Sequence, residues 1–316
     1  MKRVLVVIEM DENQQNKLKT DCKNVYIEYK NRKEVTLDYL ETFDGVVGNL
    51  TPKLLNESKN VKWVHLESAG VERYLNIPEH ILLTNSTGAY GEAISEYMIA
   101  GVFTVFKKFD KYIKAQSKHS WDYLGMVKQV ANSKVLVVGL GDIGTAFARK
   151  MNALGCKVSG VKRSISNKPD FIEEIYTFEN MAEVIGKFDI VALSLPYTKE
   201  TKKIFDYNMI KKMKKDALLI NVGRGKTVDT DGLIKALDEN HLLGAVLDVV
   251  DPEPLPINSK LWNYDNVVIT PHVSGNYSMG YTLEQVLEIA TENINKFNEN
   301  TELLNPVDRA LGYKGK

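Results

Sequence analysis

Arg224, Glu253 and His272 follow one another through the second half of the chain, in the stretches N-V-G-R-G, D-P-E-P-L and T-P-H-V-S-G. A guanidinium presents a planar fork that meets a carboxylate through two parallel hydrogen bonds, which lysine cannot copy. An imidazole has an ordinary pKa near neutrality and suits proton donation to a carbonyl oxygen. A carboxylate beside it favours the protonated ring. Together the three groups could hold a 2-keto acid by its carboxylate and protonate its carbonyl oxygen while a hydride arrives. Taken singly they leave plainer readings open. Arg224 could be a structural ion-pair partner, and an acid between Pro252 and Pro254 is usually just solvated. A lone histidine is more often packed or at the surface, as expected for His65, His80, His119 and His241.

A hydride needs a source, and an earlier segment offers a place for one. Val135 to Gly144 reads V-L-V-V-G-L-G-D-I-G, a G-x-G-x-x-G pattern at Gly139, Gly141 and Gly144. Alone the pattern is weak. Here four β-branched or leucine residues precede it and a helical pattern follows, which makes it strong. The first glycine allows a tight turn, the second lets the backbone approach a pyrophosphate, and the third permits close helix–strand packing. Asp142 and Ile143 open the helix, whose first N–H groups and positive dipole end suit phosphates. An acid about 20 residues on would take the ribose hydroxyls of NAD. The next strand instead ends in Lys162, Arg163 and Ser164. Two cations and a hydroxyl suit a 2′-phosphate, so NADP(H) is expected to be preferred, with NAD(H) possible.

These residues need a frame of alternating strands and helices. In the first hundred residues, Val4–Ile8, Gly45–Val47, Val61–Val64 and Ile81–Leu83 are short apolar runs closed by polar or turn residues. A helix is expected from about Glu92 to Lys118. From Lys134 a stronger alternation begins. Strands are expected at Val135–Val138, Lys157–Val161, Ile190–Leu195, Ala217–Asn221, Gly244–Asp248 and Val267–Thr270, a set of six that fits a Rossmann domain. Leu283, Val286, Leu287, Ala290, Ile294 and Phe297 then recur at helical spacing.

Composition excludes several classes. The 316 residues suggest two domains. Lys+Arg and Asp+Glu are both 41, so the basic excess of a nucleic-acid footprint is missing. The local run Lys211, Lys212, Lys214, Lys215 fits a solvated helix end. No stretch approaches the roughly 18 apolar residues of a membrane helix. The two cysteines, Cys22 and Cys156, lack metal-ligand spacing and read as reduced thiols of a cytoplasmic protein. No metal is expected.

On the glycine turn and the Arg–Glu–His series, the chain resembles the D-isomer-specific 2-hydroxyacid dehydrogenases, nearly end to end. The resemblance implies an α/β protein with a Rossmann cofactor domain at 101–283 and a discontinuous flavodoxin-like substrate domain at 1–100 and 284–316. It makes His272 the proton donor, Glu253 its partner and Arg224 the substrate anchor. Ser68, Ala69 and Gly70, in L-E-S-A-G-V, resemble the loop whose N–H groups take the substrate carboxylate. Leu195, Pro196, Thr201, Val222, Gly223, Asp248 and Gly275 fall at the family's cofactor contacts. Lys162 stands where the family's NAD users carry Asp. Ala131–Lys134 and Lys215-Asp216 depart from the usual turns, both at the surface. The family implies a homodimer acting on a small 2-keto acid, in a site that forms between the domains and excludes water on closing. It also includes dehydrogenase-like corepressors that keep the same three residues, so a non-catalytic cofactor sensor is an alternative. So is a phosphoglycerate or glyoxylate/hydroxypyruvate type of dehydrogenase.

Overall fold

The computed structural model describes every residue of the chain except Ser164, Ser166, Asn167, Gly315 and Lys316. The chain divides into two compact units, Met1–Ala89 with Tyr277–Lys316, and Tyr90–Asn276.

The first unit begins β1 (Arg3–Val6), α1 (Glu12–Asp21), β2 (Tyr26–Tyr29), α2 (Leu37–Leu40), β3 (Gly45–Val47), α3 (Pro52–Glu57), β4 (Trp63–Leu66) and β5 (Leu82–Asn85). Helix α1 starts where Asp11 and Gln14 cap one another reciprocally, each side chain accepting the other's backbone N–H. All strands are parallel, in the order β2-β1-β3-β4-β5. That is the flavodoxin-like order. Strand β2 is absent from the sequence reading. It is an edge strand in which only Ile27 is buried, so it lacks the continuous apolar run of a central strand.

The second unit opens with α4 (Gly91–Phe106) and α5 (Phe109–Ser117). The single helix expected from 92 to 118 is therefore two. Lys108 takes a left-handed φ of +58° between them, and Lys107 Nζ and Lys108 Nζ donate to the carbonyls of Lys128 and Leu124. Then come β6 (Lys134–Val138), α6 (Asp142–Ala153), β7 (Lys157–Val161), β8 (Ile175–Tyr176), α7 (Phe178–Val184), β9 (Ile190–Leu193), α8 (Tyr207–Lys212), β10 (Leu218–Asn221), α9 (Thr230–Asp238), β11 (Gly244–Leu247) and β12 (Val267–Ile269). The sheet is parallel in the order β12-β11-β10-β9-β6-β7-β8. Counted within the unit this reads 3-2-1-4-5-6 with a seventh strand outside, the Rossmann order extended by one. The expected set of six is corrected to seven, because β8, the third strand, is two residues long at an edge and gives no periodicity to read.

Helix α4 belongs to this unit because it packs on α6. Gly91 lies so close that an added Cβ would meet Asp142 Oδ1 at 2.5 Å, and Lys150 Nζ bonds Glu92 Oε2 at 2.7 Å. The sequence reading placed residues 90–100 with the first unit instead.

Helix α10 (Gly280–Glu299) and the hairpin of β13 (Val307–Asp308) and β14 (Tyr313–Lys314) complete the first unit. The helix buries Val286, Ala290, Ile294 and Phe297, with the Phe297 ring centre 4.8 Å from that of Trp63 and tilted 32° to it. It also buries Asn293, which joins a polar network in the core. Ser86 Oγ donates to Leu66 O and so accepts from His65 Nε2 at 3.1 Å. Thr84 Oγ1 takes the Trp63 indole N–H, leaving its own proton for His65 Nδ1 at 2.9 Å, where Asn293 Nδ2 also donates. Protonating Nδ1 would set donors against donors. Burial pushes the His65 pKa down from 6.5 to about 3. A depressed histidine contributes stability above its unfolded pKa that is lost as pH falls. Between pH 6.5 and about 3 the unfolding free energy should therefore drop at roughly 1.4 kcal/mol per pH unit from this group, read as a falling urea midpoint. His65→Gln keeps a donor and an acceptor without titrating, so it should flatten that slope; an unchanged slope would contradict this assignment.

Candidate active site

The carboxyl ends of β6, β9, β10, β11 and β12 carry five consecutive loops of the second unit, and each loop is tied to the next. At the end of β6, Gly139 has φ +99°. An added Cβ on Gly144 would lie 1.9 Å from Gly139 O, so that glycine is required for helix α6 to close on the turn. Gly141 differs: a Cβ there would meet nothing within 4 Å. The glycine expected to let a pyrophosphate approach thus faces open space at a helix N-terminus, and the turn fits a dinucleotide. Asp142 uses its side chain inward, where Oδ2 accepts from Tyr90 N at 3.3 Å; Ile143 is the next residue of α6. Ser194 Oγ donates to Gly139 O at 2.7 Å, pinning the loop after β9 to the glycine turn. Strand order reverses between β6 and β9, the switch point where open α/β sheets bind ligands.

In the loop after β9, Thr201 Oγ1 donates to Pro196 O at 2.8 Å and accepts from Thr198 N at 2.8 Å, which fixes the 196–201 turn. Leu195 packs against Gly223, whose added Cβ would lie 2.6 Å from Leu195 O, and Val222 is buried beside it. Lys162 and Arg163 lead out of β7, with Lys162 N bonded to Tyr176 O at 3.1 Å. The Thr198 hydroxyl, above all, holds Glu200 below the usual carboxylate range, with smaller contributions from the Lys199 and Arg163 charges. Ser164, expected beside them, lies outside the described residues.

Asn221, fully buried at the end of β10, shapes the arginine loop. Its Nδ2 donates to Arg224 O at 3.1 Å and its Oδ1 accepts from Gly223 N at 3.2 Å. Thr227 Oγ1 also donates to Arg224 O, at 2.7 Å. Gly225 then meets Val250 O, 1.8 Å from where a Cβ would stand, so the loops after β10 and β11 are pressed together.

His272 and Glu253 are brought together. His272 Nδ1 lies 3.0 Å from Glu253 Oε2, while Glu253 Oε1 accepts from Val250 N at 3.0 Å. The two side chains are 51% and 39% exposed, so the pair adds little to folding. That contact fixes the ring: Nδ1 is held by Glu253, so Nε2 is the nitrogen turned away from the carboxylate. His272 has φ +53°, a left-handed conformation uncommon for a residue with a side chain. Asp248 holds it there. That carboxylate is 1% exposed and accepts from Thr270 Oγ1 at 2.7 Å, Val273 N at 2.9 Å, Ser274 N at 3.0 Å and Ser274 Oγ. His272 N donates to Asp248 O at 2.9 Å, and Tyr97 Oη bonds Thr270 Oγ1. Gly275 ends the turn against α4, where a Cβ would come 3.0 Å from Ile94 Cδ1. Asn221, Thr270 and Ser274 were not singled out from the sequence. The readable signal was a polar residue closing an apolar strand, as in L-L-I-N and V-V-I-T.

In the first unit, Ser68, Ala69 and Gly70 follow β4. Their carbonyls are all hydrogen-bonded within the unit: Ser68 O accepts from Ser86 N, Ala69 O from Asn85 Nδ2 at 2.7 Å, and Gly70 O from Ser68 Oγ at 2.8 Å. Among the described residues no group of three or more His, Cys, Asp or Glu is placed to hold a metal ion, and no helix is long and apolar enough to cross a membrane.

The model of the D-isomer specific 2-hydroxyacid dehydrogenase NAD-binding domain matches residues 99–274. A glyoxylate reductase of Thermofilum pendens is 31% identical over 276 residues, 81% of this chain and 80% of that protein. A D-lactate dehydrogenase of Staphylococcus epidermidis is 29% identical over 263 residues, covering 76% and 79%. A solved D-isomer specific 2-hydroxyacid dehydrogenase family protein from Aeromonas salmonicida superposes with a TM-score of 0.87 at 26% identity, covering 98% of this chain and 99% of that one.

Proposed function

The chain belongs to the D-isomer-specific 2-hydroxyacid dehydrogenase family, and on that premise we propose that it reduces a small 2-keto acid to the D-2-hydroxy acid, preferring NADPH to NADH. The observation that carries this reading is the 3.0 Å His272–Glu253 pair beside the arginine loop, at the same sheet edge as the glycine turn. When bound, NADP(H) supplies the hydride. Gly139, Gly141 and Gly144 would admit its pyrophosphate, and the loops at Leu195–Thr201, Val222–Gly223, Asp248 and Gly275 would line it. His272 gives its Nε2 proton to the carbonyl oxygen. Glu253 fixes the ring and stabilises the cation before transfer. Arg224 takes the substrate carboxylate through its fork and polarises the carbonyl. We also assign carboxylate binding to the N–H groups of Ser68, Ala69 and Gly70, as the family resemblance implies. We place the protein in the cytoplasm.

Lys162 and Arg163 carry the cofactor preference. Charge-assisted bonds to a phosphate contribute roughly 1.5–3 kcal/mol each, and about 1.4 kcal/mol is a factor of ten. Solvent and salt remove part of that at an exposed loop, so kcat/KM should favour NADPH by tens-fold. Lys162→Asp with Arg163→Ala should swing preference to NADH without changing keto-acid specificity. Equal kcat/KM for both cofactors in the unaltered protein would show that these cations only solvate the loop.

We assign a homodimer from the second unit's surface. Phe109 and Ile113 on α5, and Trp121, Tyr123, Met126 and Val127 just beyond it, are all exposed. Apolar residues gathered in this way mark a protein–protein contact more often than a free surface. Sedimentation should give the mass of a dimer, and Trp121→Asp should shift it towards one chain. A monomer at every concentration would contradict the assignment.

A further inference from the structure

We propose that Glu67 and Arg32 set substrate selectivity, Glu67 masking a guanidinium that would otherwise accept a second carboxylate, so that monocarboxylic 2-keto acids are reduced and dicarboxylic ones rejected. Glu67 is the residue before Ser68, and its side chain is only 9% exposed. A buried carboxylate beside a loop built for anions is costly unless something answers its charge. Arg32 does so, with Nη1 2.8 Å from Glu67 Oε1. Asn49 N, at 3.4 Å from Oε1, and Tyr277 Oη, at 3.3 Å from Oε2, also donate to it.

The placement of Arg32 gives the pair a bearing on ligands. It stands just past β2, at one edge of the sheet, while Glu67 stands at the end of β4, with β1 and β3 between them. The arginine therefore reaches across the carboxyl ends of the strands, where open α/β sheets bind ligands. Its side chain remains 36% exposed there, so the guanidinium is engaged by Glu67 yet still reachable. A substrate lying with its first carboxylate on Ser68–Gly70 would bring its far end against this pair. A distal carboxylate would meet Glu67 as a like charge and find Arg32 Nη1 already engaged. A methyl or hydroxymethyl group would meet neither obstacle. Rejection by a like charge and an occupied partner is a recognised source of specificity.

The inference rests on the reading that Ser68–Gly70 binds the substrate carboxylate. The test is kcat/KM, with the better cofactor, for pyruvate and hydroxypyruvate against oxaloacetate and 2-oxoglutarate. The unaltered protein should favour the first two. Glu67→Gln frees the fork and should raise the dicarboxylic-to-monocarboxylic ratio by about tenfold or more, since one charge-assisted bond is worth roughly that factor. Arg32→Met removes the positive charge beside Glu67 and leaves that carboxylate to its remaining hydrogen-bond donors. It should move the ratio the other way and raise KM for all four acids. Unfolding transitions establish that each variant is folded, and if Glu67→Gln is not, the sign of the Arg32→Met change decides. A purely structural pair would lower stability and leave the ratio alone, which would overturn the proposal. An unaltered protein that reduces the monocarboxylic acids while the variants keep its ratio contradicts this inference only. One that reduces none of the four contradicts the proposed function as well.

Discussion

Replacing His272 by alanine should lower kcat for 2-keto acid reduction on the order of 10²–10⁴-fold, the usual worth of a positioned general acid. The loss should come without collapse of the site. The turn around residue 272 is held by Asp248 through Thr270, Val273 and Ser274, none of which depends on the imidazole. The left-handed φ of +53° at this position will cost an alanine variant something, of order 1 kcal/mol. Asparagine tolerates that conformation better. His272→Asn should therefore unfold at nearly the normal denaturant concentration and still be as slow as the alanine form. Near-normal turnover in both variants would remove the histidine from the mechanism.

Arg224→Lys should be nearly as damaging, and for a different reason. The charge is kept and the fork is lost. Each charge-assisted bond to a carboxylate contributes roughly 1.5–3 kcal/mol, so kcat/KM should fall on the order of 10²-fold. The backbone of the loop should persist, because Asn221 Nδ2 and Thr227 Oγ1 both hold the carbonyl of residue 224 rather than its side chain. The KM for the cofactor should accordingly change little. A lysine variant as efficient as the unaltered protein on a small keto acid would show that Arg224 is a structural ion-pair partner and not the substrate anchor.

The parts of the fold that were legible in the sequence were those buried on both faces. Val135–Val138, Lys157–Val161 and Gly45–Val47 are central strands, and a continuous apolar run announces them. The edge strands Tyr26–Tyr29 and Ile175–Tyr176 were not legible, because one buried residue in two or four makes no pattern. Helix α4 reads as running on into α5 because Lys107 and Lys108 are good helix formers, whereas the backbone breaks at Lys108, whose φ of +58° is left-handed; the Nζ groups of both lysines bond carbonyls of residues 128 and 124. The same limit applies to the site. Glycine spacing and the Arg–Glu–His series could be read because each residue's chemistry is visible in its type. The buried supports could not, since Asn221, Thr270 and Ser274 have ordinary types and acquire their roles only when five loop ends meet at one sheet edge. Glu67 was passed over inside a loop singled out for its backbone, since its pairing with Arg32 spans most of a sheet.

The most direct test of the account is to mix the purified protein with NADPH and pyruvate or hydroxypyruvate, follow NADPH by absorbance, and resolve the product by chiral chromatography. The account predicts that the D-2-hydroxy acid accumulates in step with NADPH consumed, and that His272→Ala abolishes both signals together. NADPH that binds, as calorimetry would show, yet is not consumed in the presence of any 2-keto acid, or a product that is predominantly the L isomer, would contradict it.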